Sequence, residues 1–326
     1  MNLTTEFGNA AGTVRAVDGI SFEMDPGETL GIVGESGSGK SMTALSILNL
    51  VPEPGRISGG QILVNNQDVV SMTSSELLEY RGGDVAMIFQ DPMTSLNPVL
   101  RVGFQIEEAM RAHSRFDKRQ AKERVIPLLQ RVRIPSPQQR AKDYPHQFSG
   151  GMRQRAMIAM GLANEPSLLI ADEPTTALDV TVQAQILELL KDLNRELGTA
   201  IILISHNVAV ISSLCTRVMV MYAGRVVESG PTRQGFDHPE HPYTWSLLRS
   251  VPRVDERRHE RLISIEGMPP DLSRLPSGCK FHPRCHFKVD RCSHEEPPLA
   301  EVAAEQEARC WVLMRNVSSQ AQALKT

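Results

Sequence analysis

The chain has 326 residues, enough for one large domain and a smaller one, with 41% hydrophobic and 22% charged residues, an ordinary globular balance. Its net charge of -3 argues against a nucleic-acid binder, and no run of 18 apolar residues exists to span a membrane. The first residues, Met1-Asn2-Leu3-Thr4, lack the basic and apolar regions of a signal peptide, so a cytoplasmic protein is expected.

Residues 2–7 read as the end of a strand whose beginning is missing, and 14–24 as edge strands with partial alternation. Phe7 has two readings, an aromatic that stacks on an adenine ring or a core side chain. Residues 28–33 form a short apolar strand, followed by Gly34-Glu35-Ser36-Gly37-Ser38-Gly39-Lys40-Ser41 and a run of helix formers over 42–50. Strand, glycine loop and helix are the context in which G-x-x-x-x-G-K-[ST] binds phosphate. The glycines allow backbone N–H groups to curl around an anion, and the helix N-terminus adds its positive end. Lys40 is expected to reach the β- and γ-phosphates and Ser41 to ligate Mg²⁺, so ATP with Mg²⁺ is the expected substrate complex.

Further on, residues 61–70 read as a strand, 74–81 as a short helix capped by Ser74 or Ser75, and 85–89 as a buried strand ending at Gln90. Helices are expected over 104–132 with a polar interruption near 113–117, forming a helical subdomain inserted at about 92–163. Ser149 caps a helix running to about Ala163, and Gly150 and Gly151 permit close backbone approach. The apolar strand 167–171 ends in Asp172-Glu173, where α/β sheets place ligands. Asp172 suits a Mg²⁺ shell and Glu173 suits proton acceptance from an attacking water. A helix follows over 180–196, then a buried strand over 200–204 that leads into His206, a structural residue or a site residue.

Taken in order, the glycine loop, Gln90, Ser149-Gly150-Gly151, Asp172-Glu173, Leu178-Asp179 and His206 resemble the ATP-binding subunit of an ABC transporter over about residues 1–235. The resemblance implies an α/β P-loop NTPase core with an inserted helical subdomain and a small Cys-rich extension over 236–326. It implies two subunits, a homo- or heterodimer, closing head to tail on ATP. In that arrangement Gly34, Ser36, Gly37, Ser38, Gly39, Lys40, Ser41 and Asp172 of one copy would face Ser149, Gly150 and Gly151 of the other. Asp179 would cross between copies. Glu173 would polarise water, His206 would position the γ-phosphate, and Gln90 would contact Mg²⁺ and the membrane subunit. Met152 where most members carry Gln, with Tyr144-Pro145-His146-Gln147, His241-Pro242-Tyr243-Thr244 and the run from Gln90 to Pro98, resembles the dipeptide, oligopeptide and nickel importer branch. That branch implies a peripheral subunit on the cytoplasmic side of the inner membrane, two transmembrane permease subunits and, indirectly, a substrate-binding protein. The cargo, di- or oligopeptide against nickel or another solute, stays open. A nucleic-acid- or ribosome-acting ABC ATPase fits poorly, because the chain has one core, no sustained heptads and a negative charge.

Four of the five cysteines, Cys279, Cys285, Cys292 and Cys310, and six of nine histidines lie beyond residue 237. Clustered thiols in an intracellular chain point to metal before disulfide. The spacing is not that of zinc ribbons, and four thiolates suit Zn²⁺ or a [4Fe–4S] cluster, with unligated cysteines the remaining reading. The importer resemblance favours the cluster. Cys215 reads as a small core residue.

Overall fold

The computed structural model describes residues 1–9, 12–91, 95–113, 115–176, 178–250 and 265–317. Pro92, Met93 and Thr94 of the importer-like run, and Ala177 of the loop before Asp179, lie outside them. The chain divides into two compact units, one of residues 1–23, 30–70 and 205–326, the other of 24–29 and 71–204. The C-terminal extension shares a unit with the start of the chain.

In the first unit, β1 (Leu3–Asn9) pairs antiparallel with β2 (Gly12–Ile20) on one side and β4 (Gly55–Gly59) on the other. Leu3 and Thr5 point inward, and the buried Thr5 hydroxyl meets that of Ser46 at 2.7 Å. That bond fixes the helix α1 (Lys40–Ile47) against this sheet. All five residues of β3 (Thr29–Val33) are buried, as a parallel central strand requires. It runs parallel to β8 (Arg217–Tyr222), which turns back antiparallel into β9 (Arg225–Pro231). Two strands of the extension continue this sheet: β11 (Gln306–Ala308) pairs with β9, and β10 (Ala300–Ala303) pairs with β11.

The strand expected over 61–70 is not formed as one piece. Asn65 and Asn66 both take positive φ, 51° and 63°, and turn the chain between Leu63–Val64 and Gln67–Asp68. Asparagine tolerates that conformation, which makes a tight hairpin of the expected strand. The strand of this region that joins the β1 sheet is β4, whose two glycines and arginine carry no apolar alternation.

In the second unit, β5 (Val85–Ile88), β6 (Leu168–Asp172) and β7 (Ala200–Ser205) run parallel in that order up to Ile204. The helix α2 (Ser74–Glu79) starts one residue beyond its cap, which is Thr73 rather than either serine. Thr73 accepts from the Glu76 N–H while Glu76 reaches back to the Thr73 N–H, a reciprocal box worth about 1 kcal/mol. The helical subdomain contains α3 (Val102–Ala112), α4 (Lys118–Arg131) and α5 (Gly150–Gly161). The break between α3 and α4 falls where expected, closed by Asp117 accepting from the Gln120 N–H at 2.8 Å. The longest helix, α6 (Val180–Leu197), buries Ile186, Leu187, Leu189, Leu190 and Leu193 and stops at Gly198 in the left-handed region. No helix among the described residues is long and apolar enough to cross a membrane.

Candidate nucleotide site and cysteine cluster

In the first unit the glycine loop joins β3 to α1. Gly39 has φ +103°, and a Cβ there would stand 2.4 Å from the Ala16 carbonyl oxygen, so no other residue fits. The β8–β9 turn supports the loop through the Gly224 N–H, which donates to the Ser38 carbonyl at 3.0 Å. Lys40 is buried, and its Nζ donates to the carbonyl oxygens of Gly34 at 2.7 Å and Glu35 at 2.9 Å. Ser36, Gly37 and Ser41 are exposed. The Ser38 hydroxyl is buried without a hydrogen-bond partner among the described residues. A polar atom left so costs about 1–3 kcal/mol, which an anion in the loop would relieve. Phe7 lies in β1, its ring over Gly55: a Cβ on that glycine would come within 2.5 Å of Phe7 Cε1. His206 is exposed immediately after β7.

In the second unit Asp172 is buried at the end of β6. Glu173 follows with φ +47°, a conformation unusual outside glycine. Its Oε2 accepts from Gln90 Nε2 at 3.1 Å and from Thr176 Oγ1 at 3.0 Å. The structure thus brings Gln90 and Glu173 together across the ends of β5 and β6. Ser149 caps α5, accepting from the Met152 N–H at 3.3 Å, and Asp179 caps α6, accepting from the Val182 N–H at 2.9 Å. The two caps are neighbours. A Cβ on Gly151 would stand 2.6 Å from Val182 Cγ1, so the small residue lets the two helix starts pack. Val180 beside them is 84% exposed.

Within the second unit, Gln90 offers an amide oxygen and Asp172 a carboxylate, ligand types that suit a hard cation such as Mg²⁺.

The four clustered thiols lie together in the first unit. The Cys279 N–H donates to the Cys292 carbonyl at 2.9 Å. Burial, with the neighbouring cysteines adding to it, pushes the Cys285 and Cys310 thiols up to about 12. Burial likewise raises Cys279, with Cys292 adding to it. Yet among the described residues no three His, Cys, Asp or Glu side chains stand as a metal-holding group. His282 instead faces the Cys279 carbonyl at 2.9 Å, and His286 faces Glu266 at 4.0 Å. The donor chemistry fits a thiolate-bound metal; the side-chain arrangement does not display one. Cys215, outside the group, is a buried core residue as expected, its thiol pushed up to about 12 by burial.

Two residues of this unit were not legible as site residues. Tyr243 accepts the Glu35 N–H at 2.8 Å, and Arg284 pairs with the Glu35 carboxylate at 2.6 Å. Tyr243 sits in the His241–Thr244 run and Arg284 directly precedes Cys285, but contacts over more than 200 residues leave no mark in local pattern.

The family model described as ABC transporter matches residues 17–176. A second, the oligopeptide/dipeptide transporter C-terminal region, matches residues 227–292. The chain is 48% identical over 313 residues to the oligopeptide transport ATP-binding protein OppD of Bacillus subtilis, covering 96% of this chain and 87% of that protein. Among solved structures it is similar to the ATP-binding cassette MJ0796, a dimer in a post-hydrolysis state bound to ADP and Pi. That match has TM-score 0.63 and 27% identity, over 71% of this chain and 97% of the other. It is also similar to cbiO1 of Clostridium perfringens, part of the ABC transporter complex cbiONQ, with TM-score 0.62 and 28% identity over 72% and 90% of the two chains.

Proposed function

The chain belongs to the ABC transporter family of ATP-hydrolysing proteins, and from that premise we propose that it energises the import of di- and oligopeptides through separate membrane permease subunits. The observation that carries the hydrolytic reading is the Glu173 carboxylate, held at the end of β6 by Gln90 and Thr176. A carboxylate fixed at a strand end in this way is placed to take a proton from an attacking water. Gly34 to Ser41 form the phosphate loop, with Lys40 on the β- and γ-phosphates and Phe7 against the adenine. Ser41, Asp172 and Gln90 would hold Mg²⁺, and His206 would position the γ-phosphate. When bound there, Mg²⁺ would neutralise the charge that develops on the phosphates.

The working unit is a dimer, with a second copy or a related subunit. The exposed Ser149, Gly150 and Asp179, with Val180 bare beside them, form a surface that suits the partner's nucleotide. Attachment to the cytoplasmic face of the membrane comes through the permease subunits. The peptide cargo is supported by the match of residues 227–292 to the oligopeptide/dipeptide transporter C-terminal region. Cys279, Cys285, Cys292 and Cys310 hold one metal centre, a [4Fe–4S] cluster in preference to Zn²⁺. The grouping of the four cysteines in one short segment, with the Cys279 N–H on the Cys292 carbonyl, supports this: a metal would bind them as thiolates and supply folding energy to that segment.

The test is ATP hydrolysis by the complex with its permeases in proteoliposomes. A peptide-loaded binding protein should stimulate it, and Ni²⁺ should not. Stimulation by Ni²⁺ alone would replace the cargo while keeping the ATPase. Metal analysis of anaerobically purified protein decides the centre: brown colour with about four iron for the cluster, colourless with one zinc for the alternative.

A further inference from the structure

Glu35 is the one carboxylate within the phosphate loop, and each of its polar groups is engaged. Its N–H donates to the Tyr243 hydroxyl at 2.8 Å, and its carbonyl accepts from Lys40 Nζ at 2.9 Å. Its carboxylate meets the Arg284 guanidinium in a two-pronged pair, Nη1 to Oε2 at 2.6 Å and Nη2 to Oε1 at 3.0 Å. The Arg284 side chain is 6% exposed and that of Glu35 25% exposed. Arg284 is itself fixed: Nε donates to the Glu266 carbonyl at 2.9 Å, Nη2 to that of Ile265 at 3.3 Å and Nη1 to the Tyr222 hydroxyl at 3.4 Å. Phe281 packs edge-on against both Tyr222 and Tyr243.

A loop built to receive a polyphosphate gains nothing from an uncompensated carboxylate, since like charges in a partly buried site are weakly screened. A planar guanidinium gripping both oxygens cancels that charge and fixes the side chain's direction. We propose that Arg284 is a positioning residue of the ATP site: acting through Glu35, it neutralises the loop's carboxylate and, with Tyr243, holds the loop ready for phosphate. The C-terminal extension is then part of the nucleotide site. Arg284 directly precedes Cys285 on the turn His282–Arg284, so the fold of the cysteine segment sets the aim of the guanidinium. This inference rests on the reading of residues 34–41 as the phosphate loop.

The experiment titrates a fluorescent ATP analogue into the full-length protein. Arg284→Met should weaken binding about tenfold, as loss of a charge-assisted bidentate pair does. The double variant Glu35→Gln with Arg284→Met should recover to within about threefold, because it removes the charge that Arg284 cancels. A double variant as weak as Arg284→Met would show that Arg284 only holds the extension in place, and overturn the proposal. So would tight binding by Arg284→Met alone. Lys40→Ala separates the two levels: if it binds nucleotide normally, the phosphate-loop reading itself fails.

Discussion

Glu173→Gln separates proton transfer from architecture. Two donors on Glu173, Gln90 Nε2 at 3.1 Å and Thr176 Oγ1 at 3.0 Å, aim at the same oxygen, Oε2. A glutamine carbonyl can occupy that place, so both bonds persist in neutral form at a cost of about 1 kcal/mol. A shift of that size moves the unfolding midpoint by about 2–4 °C in a domain of this scale. The lost base is far larger: general-base catalysis typically supplies about 10²–10⁴-fold, or about 3–5 kcal/mol of barrier. Phosphate release by the reconstituted complex at saturating ATP should fall by that factor, while the Kd for ATP stays unchanged. Glu173→Gly adds a second arm. It releases the φ of +47°, a strain of about 1–3 kcal/mol, so it should unfold no earlier than the glutamine variant while being equally inactive. Turnover by Glu173→Gln within about threefold of the unaltered complex would refute the assignment of the base.

Other outcomes follow from the same geometry. Ser149→Ala should cost the cap of α5, about 1 kcal/mol by chemical denaturation, whereas Ser149→Arg should abolish hydrolysis while the isolated chain still binds ATP. His241 is fully buried and its pKa is lowered from 6.5 to about 3 by desolvation, so the folded protein resists a proton that the unfolded chain accepts. Stability from this group is complete above about pH 6.5 and falls by up to about 1.4 kcal/mol per unit as pH drops toward 3. His241 Nδ1 accepts the Tyr243 N–H at 3.0 Å, and His241→Asn, which keeps an acceptor there without a titrating ring, should flatten that slope in urea titrations between pH 7 and 5. Cys285→Ser should lower bound metal and loosen the cysteine segment to protease, with Arg284 losing its anchor and ATP affinity falling alongside.

The nucleotide motifs were legible because each depends on neighbours in sequence: a glycine loop between strand and helix, a cap at Ser149, two carboxylates at a strand end. The core strands 29–33, 168–172 and 200–205 were legible because burial on both faces leaves them continuously apolar. What stayed hidden depends on partners far along the chain. β4 carries no apolar alternation and takes its place by pairing with β1, and its glycine at position 55 makes room for Phe7. Asn65 and Asn66 broke an apolar run through their backbone conformation alone. The Glu35–Arg284 pair spans 249 residues. The four cysteines were legible as a group, but whether their side chains converge on a metal depends on packing that spacing does not encode.

The pairing of β11 with β9 has a consequence for how the extension can be studied. Glu228 and Ser229 of β9 face Ala308 and Glu307, and the Arg309 N–H donates to the Val227 carbonyl at 2.8 Å. Cutting the chain before residue 300 would strip those partners and bare a sheet border whose N–H and C=O groups are ready to recruit another chain. It would also take Gln306 from the buried Glu228 carboxylate, which otherwise receives Nε2 at 2.8 Å. In the intact chain the border is β10, four residues long and half of them exposed, a poor template for growth. A shortened protein would therefore report on self-association rather than on transport, and the extension's role is reached by single substitutions, not by deletion.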